Sequence, residues 1–197
     1  MIPLFNWKFF KQLFFSFCEY YQPNSTLESY LVNERNGMAD PKFNLTKKYI
    51  ILLGISHAMK CLHENYIIYK NLNPESIILD ENLYPKISVF RFDNLPDQLL
   101  KYSKLYRYDF LEYINYSLFK KLDYCAPDLI NNRRLRPDLD VYAFGMIAYE
   151  LVSLKKPFEN VISSTAYFCD VIGQGYRPTF NNDTPIELKE LISKCWD

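Results

Sequence analysis

The stretch from Ile67 to Phe92 constrains this chain more than any other. It reads I-I-Y-K-N-L-N-P-E-S-I-I-L-D-E-N-L-Y-P-K-I-S-V-F-R-F. Two short runs, Ile77–Leu79 and Lys86–Ser88, flank an Asp-Glu-Asn turn, a pattern that predicts a hairpin. A polar loop from Tyr69 to Ser76 enters the hairpin, and a second loop opens at Val89. Helices are predicted on both sides. Upstream, Ile51, Ile55, Ala58 and Leu62 recur at helical spacing within Leu45–Asn65, with Leu52 and Met59 alongside and Asn44 as N-cap. Downstream, D-L-D-V-Y-A-F-G-M-I-A-Y-E-L-V, from Asp138 to Val152, is apolar nearly all round, as a buried central helix is.

This arrangement resembles the catalytic centre of a protein kinase. The family reads I-I-H-R-D-L-K-P-x-N-I-L-L-D and then P-K-I-x-D-F-G, and the frame here matches without a gap. Further motifs follow in order. Y-C-A-P-D-L-I, from Tyr124, resembles the family's Y-x-A-P-E, with Asp128 in place of the Glu. The family's Arg partner for that acid falls beyond Asp197. The Asp138–Val152 helix resembles D-V-x-S-F-G-x-x-x-x-E-L, and K-K-P-F follows it. The closing run G-Y-R-P…L-I-S-K-C-W resembles the tyrosine-kinase-like branch of serine/threonine kinases. Near the start, E-Y-Y-Q-P-N-S-T-L resembles the hinge between kinase lobes with one extra residue. Cys18 would then be the gatekeeper, and Glu19, Tyr20 and Tyr21 would face the adenine.

The resemblance covers about residues 13 to 197. It implies an α+β, mostly helical fold: a kinase-like large lobe over 26–197, a hinge over 19–25 and only a remnant of the small lobe over 1–18. The remnant holds one Phe-rich strand, Leu13 to Glu19. It lacks the glycine-rich loop and the third-strand Lys that the family sets over the phosphates. The chain has five glycines, and the G-x-G at Gly173 and Gly175 follows a helical stretch and precedes R-P, the wrong context for a phosphate loop.

Three positions of the matched frame differ in chemistry. The family's base Asp falls on Asn71, its metal-binding Asn on Ser76 and its metal-binding Asp on Val89. In kinases the first Asp accepts the substrate proton, and the other two hold Mg²⁺. An amide is no base near neutral pH, and a valine offers no oxygen to a cation that demands oxygen ligands. Arg91 replaces the Gly of D-F-G and is expected either to set a positive charge near the metal position or to be a solvated loop residue. Tyr69 and Lys70 replace the family's His-Arg, and Tyr69 is expected to pack under Phe90. Lys70 lacks the bidentate fork of an Arg. Asp140, by resemblance, accepts backbone N–H groups of the catalytic loop. Asp140, Phe90, Tyr69 and Asp128 are thus the expected structural residues of the site.

Smaller signals complete the reading. Ser25 and Glu28 form an S-x-x-E box, so a short helix begins near Thr26 and ends before the polar run Asn33–Pro41. Another helix is expected over Ile162–Ile172, and Thr184, Pro185 and Glu187 predict a capping box with Pro at the first helical position of a last one. Asp93–Asp123 would be the activation segment, and its tyrosines read as locally packed rather than as a switch. Arg133, Arg134 and Arg136 read as a solvated loop. His63 reads as structural and His57 as structural or exposed. Neither is seen with a neighbouring Cys or acidic ligand spacing, so no metal site is expected at them.

Composition excludes several functions. A formal net charge of +0 argues against nucleic acid as the main partner. An apolar fraction of 49% is enough to build a sizeable core, so disorder is not expected. The five cysteines carry no C-x-x-C pair, which fits a reduced, intracellular protein, cytoplasmic or otherwise. Lys8 and Lys11 interrupt the aromatic N-terminus, leaving no run long enough to span a bilayer. The expected function is that of a catalytically inactive kinase-like domain acting through a protein partner, with no cofactor. The alternatives are a divergent serine/threonine kinase using ATP and Mg²⁺, or a kinase fragment without independent function.

Overall fold

The computed structural model describes residues 26–87, 122–127, 136–159 and 172–196. Four helices and one hairpin lie in this part of the chain: α1 (Leu27–Arg35), α2 (Leu45–Glu64), β1 (Ile77–Leu79), β2 (Pro85–Ile87), α3 (Asp138–Ser153) and α4 (Ile186–Lys194). The architecture is α+β and mostly helical. Single 3-10 turns, Pro74–Ser76 and Leu122–Tyr124, precede the hairpin and α3 respectively.

Each helix starts where its chemistry allows. The Asn44 side chain accepts from Lys47 N at 3.0 Å, satisfying one of the orphan donors at the start of α2. At α1 the cap is Thr26 rather than Ser25: Thr26 Oγ1 accepts from Ser29 N at 3.3 Å. Thr26 is extended there because its backbone bridges Ile78 of the hairpin, which fixes the helix start one residue later than the S-x-x-E pattern suggests. Glu28 does not close a capping box; its carboxylate lies 3.2 Å from Lys156 Nζ. The box at α4 is also absent. Pro185 is itself the N-cap, its carbonyl accepting from Leu188 N and Lys189 N at 3.1 Å each. That leaves Thr184 one residue too early to cap, and its buried Oγ1 has no partner among the described residues.

The hairpin is antiparallel, with Ile77 opposite Ile87 and Leu79 opposite Pro85. Its second arm is therefore Pro85–Ile87, one residue earlier than the sequence predicts, and Ser88 lies outside the described residues. Asp80 builds the turn: its Oδ1 accepts from Asn82 N at 3.0 Å and Tyr84 N at 2.9 Å. Such a side-chain-to-backbone turn is a standard use of Asp. Gly54 on α2 faces the Pro85 ring so closely that a Cβ has no room, which brings helix and hairpin into direct contact.

The core runs through α3. Twelve of its sixteen residues are buried, among them Met146, Ile147 and Leu151, and they share one apolar cluster with Ile51, Ile55 and Met59 of α2. Burial of such side chains stabilises by about 1.5–3 kcal/mol each. At the far end Phe180 stacks on Trp196 with centroids 5.4 Å apart. Arg177 donates to the Trp196 carbonyl at 2.9 Å and lies over the Tyr142 ring, tying the segment before α4 to α3. The strand Leu13–Glu19, most of Asp93–Asp123, Arg133, Arg134 and nearly all of Ile162–Ile172 lie outside the described residues.

Candidate active site

The loop from Tyr69 to Ser76 is shaped by one buried acid. Asp140, 1% exposed in the first turn of α3, accepts from Tyr69 N at 2.8 Å and from Lys70 N at 2.7 Å. His63, from the last turn of α2, places its Nε2 2.8 Å from Asp140 Oδ2, a distance at which a ring N–H donates. Three donors converge on two carboxylate oxygens, so the buried charge is compensated by fixed dipoles. They also hold Lys70 at φ 70, a left-handed conformation that disfavours a side-chain-bearing residue by roughly 1–2 kcal/mol.

Beyond Lys70 the loop is wired to itself. Asn73, 2% exposed, caps the 3-10 turn: its Oδ1 accepts from Glu75 N at 3.1 Å. Its Nδ2 donates to the Asn71 carbonyl at 2.8 Å and to Asn71 Oδ1 at 3.1 Å. Ser76 Oγ donates to Asn73 O at 2.7 Å and accepts from Asn73 N at 3.1 Å. A serine hydroxyl has one proton and two lone pairs, and Asn73 engages the proton and one of the lone pairs. Burial pushes the Tyr69 phenol up to about 12, against a smaller lowering by the Ser76 hydroxyl. Tyr69 is thus a neutral packing residue that joins the loop to the core.

Asn71 sits exposed on this loop, with its amide oxygen engaged by Asn73. The structure therefore brings Asn71, Ser76, Tyr69 and Asp140 together. Val89, Phe90, Arg91, Asp128, Cys18 and the hinge residues Glu19, Tyr20 and Tyr21 lie outside the described residues. Sequence reading gave Asn73 no role, although Asn before Pro at a helical start is a capping signature.

A second buried acid, Glu150, was also passed over. Its side chain is 0% exposed near the C-terminal end of α3, with Arg35 Nη1 of α1 2.7 Å away. The Tyr124 hydroxyl donates to its other oxygen in a short hydrogen bond. Burial raises Glu150 above its usual 4.5, while the bonds from Arg35 and Tyr124 oppose that rise. Burial first, and then the Glu150 charge, push the Tyr124 phenol well above 10.0. The signal was the acid itself in an otherwise apolar helix, since a buried Glu requires a partner.

A loop gripped by a buried acid at the head of a central helix, followed by a short hairpin, defines a kinase-type helical lobe. The sequence model described as "Protein tyrosine and serine/threonine kinase" matches residues 11–197. The chain belongs to that family. Among its relatives are the dual specificity protein kinase zakA of Dictyostelium discoideum, 29% identical over 75% of this chain and 19% of zakA. The serine/threonine-protein kinase STY46 of Arabidopsis thaliana is 24% identical over 90% of this chain and 28% of its own length. The serine/threonine-protein kinase VIK of the same plant is 31% identical over 74% of this chain and 32% of its own length. The chain thus spans a third or less of these curated relatives. Among the described residues no helix is long and apolar enough to cross a membrane.

Proposed function

We propose that this is a pseudokinase: a kinase-family domain that keeps the shape of the catalytic loop, performs no phosphoryl transfer and acts by binding a protein partner. The observation that carries this is the closed hydrogen-bond circuit of Asn71, Asn73 and Ser76. At the base position stands an amide whose oxygen accepts from Asn73 at 3.1 Å. At one metal position stands a buried serine whose hydroxyl donates to Asn73 O and accepts from Asn73 N. Val89, at the other, brings no oxygen. Mg²⁺ needs near-octahedral oxygen ligation, and this donor set does not fit it. Phosphoryl transfer depends on positioning and charge neutralisation by that metal, which Asn71, Ser76 and Val89 are not equipped to hold. What remains is a rigid family scaffold whose surface is the means of action, a reading by analogy of fold. In the same reading residues 26–197 form the large lobe and 1–18 the small-lobe remnant.

The test is a phosphotransfer assay on the full chain with labelled ATP, Mg²⁺ or Mn²⁺ and general protein acceptors. The expected result is no incorporation above a heat-denatured control. Incorporation that disappears in Asn71→Ala would overturn the proposal and restore a divergent serine/threonine kinase.

A further inference from the structure

Helix α1 ends on the single Asn-Gly pair of the sequence, Asn36–Gly37. The turn that closes the helix is a Schellman motif. Gly37 N donates to Glu34 O at 3.1 Å and Met38 N donates to Asn33 O at 2.8 Å. Gly37 takes φ +74, the left-handed conformation that this position requires and that glycine adopts without strain. Asn36 is the C-cap and is exposed. Its side-chain amide makes no hydrogen bond among the described residues. Nothing stands within 4 Å of the place a Cβ on Gly37 would take, so the space beside the pair is open.

We propose that Asn36 is a self-modification site: it deamidates through attack by the Gly37 nitrogen, and the product releases the end of α1. Asparagine is among the thermolabile residues, and its lability is set by how freely the next backbone nitrogen reaches the side-chain carbonyl. Glycine has no side chain to block that approach. A helix end is also where local opening costs least. The neighbouring asparagines are followed by bulkier residues: Asn33 by Glu34, Asn44 by Leu45 and Asn65 by Tyr66.

In the first step Gly37 N gives its proton to solvent base and bonds to Asn36 Cγ, closing a five-membered imide. The Cγ–Nδ2 bond breaks, and Nδ2 takes a proton and leaves as ammonia. Water then adds to either imide carbonyl and opens the ring, to an aspartyl or an isoaspartyl residue. One water is consumed and one ammonia released, with no change of oxidation state. The hydrogen bond to Glu34 O withholds the nucleophile, so the reaction proceeds from the opened turn. The isoaspartyl product lengthens the main chain by one methylene and displaces Gly37 N and Met38 N from their acceptors. Either product sets a negative charge at the C-terminal end of a helix, where the macrodipole opposes it. The next residue inward is Arg35, whose Nη1 lies 2.7 Å from Glu150 Oε1, so the change acts on the tie between α1 and α3.

The experiment follows Asn36 by mass. The full chain is kept folded in mildly alkaline buffer beside a urea-unfolded sample, and both are digested with trypsin. Cleavage after Arg35 and Lys42 places Asn36 in a peptide of its own, apart from Asn33. Conversion of amide to acid is expected at Asn36 of the folded chain. It should run roughly 2–10-fold slower than in the unfolded chain, the factor that one hydrogen bond of ordinary net strength imposes. Asn33 should remain an amide throughout. A folded chain that stays unmodified while the unfolded one converts would overturn the proposal. Equal conversion at Asn33 would also overturn it, because neither Gly37 nor the turn would then single out Asn36. The converted chain, more negative by one charge, is separated by ion exchange and its amide exchange recorded. Faster exchange at Gly37 and Met38 is expected, and unchanged exchange there would overturn the release of α1.

Discussion

Helix α3 carries two buried carboxylates ten residues apart, and the fold handles them in opposite ways. Asp140, at its head, is 1% exposed and is held by two backbone N–H groups and a histidine ring. Glu150, near its tail, is 0% exposed and is held by a guanidinium and a phenol. The first acid organises backbone and so fixes a loop. The second pairs with side chains and so joins α1 to α3. Backbone donors cannot be mutated away singly, whereas Arg35 and Tyr124 can. The difference predicts that the two sites break differently.

The largest effect should come from Asp140→Ala. It orphans Tyr69 N, Lys70 N and the His63 ring donor. At about 1–3 kcal/mol for each unsatisfied buried donor, the loss should be roughly 3–6 kcal/mol in urea unfolding. Rapid amide exchange at Tyr69 and Lys70 should accompany it. A loss under about 1 kcal/mol would mean that the loop holds its shape without the acid.

Next comes Arg35→Ala. Removing one member of a buried pair commonly costs about 3–5 kcal/mol, and the lower end is expected because Arg35 is itself partly exposed. This loss should depend on pH. Folded Glu150 binds its proton more tightly than the unfolded chain, whose value is near 4.5. Its contribution to stability is thus fully present below the unfolded value and is lost as pH rises through the raised folded one. Arg35 opposes that loss by favouring the charged form. The Arg35→Ala penalty should therefore be larger near pH 7 than near pH 5. A penalty that grows on acidification would contradict the assignment. Asp140→Ala should show no comparable trend arising from Glu150, which sharpens the contrast.

Smaller effects belong to the loop. Asn73→Ala removes the cap of the 3-10 turn and the tie to Asn71, and should cost about 1 kcal/mol. Asn71→Ala, at an exposed position, should stay within about 0.5 kcal/mol of the parent. If Asn71→Ala proved the costlier of the two, Asn71 rather than Asn73 would be the organiser of the circuit.

The contrast between the acids also explains what the sequence could reveal. Asp140 lies in a motif whose frame runs unbroken, and its partners are backbone groups that any loop of that shape presents. Periodicity delimits α2, whose apolar residues recur at helical spacing, while α3 is legible as a run apolar nearly all round. Glu150 needs Arg35, which is 115 positions away. No local pattern joins two such residues, so only the folded chain shows the pair. The S-x-x-E box at α1 fails for a related reason. Thr26 displaces Ser25 because a bridge to Ile78 fixes its backbone, a tertiary constraint invisible to the four-residue S-x-x-E pattern.

A loop kept for shape and not for metal-assisted chemistry, as proposed above, should leave the fold indifferent to nucleotide and metal. A thermal melt of the full chain, with and without ATP and Mg²⁺, tests it most directly. A ligand present at about a hundred times its Kd adds roughly 2.7 kcal/mol. For a domain of this size that raises Tm by roughly 5–10 °C, at about 2–4 °C per kcal/mol. One cooperative transition with no Mg²⁺-dependent shift is expected. A shift of that size that requires both ATP and Mg²⁺ would contradict it, because the metal would then have found ligands that Ser76 and Val89 do not supply.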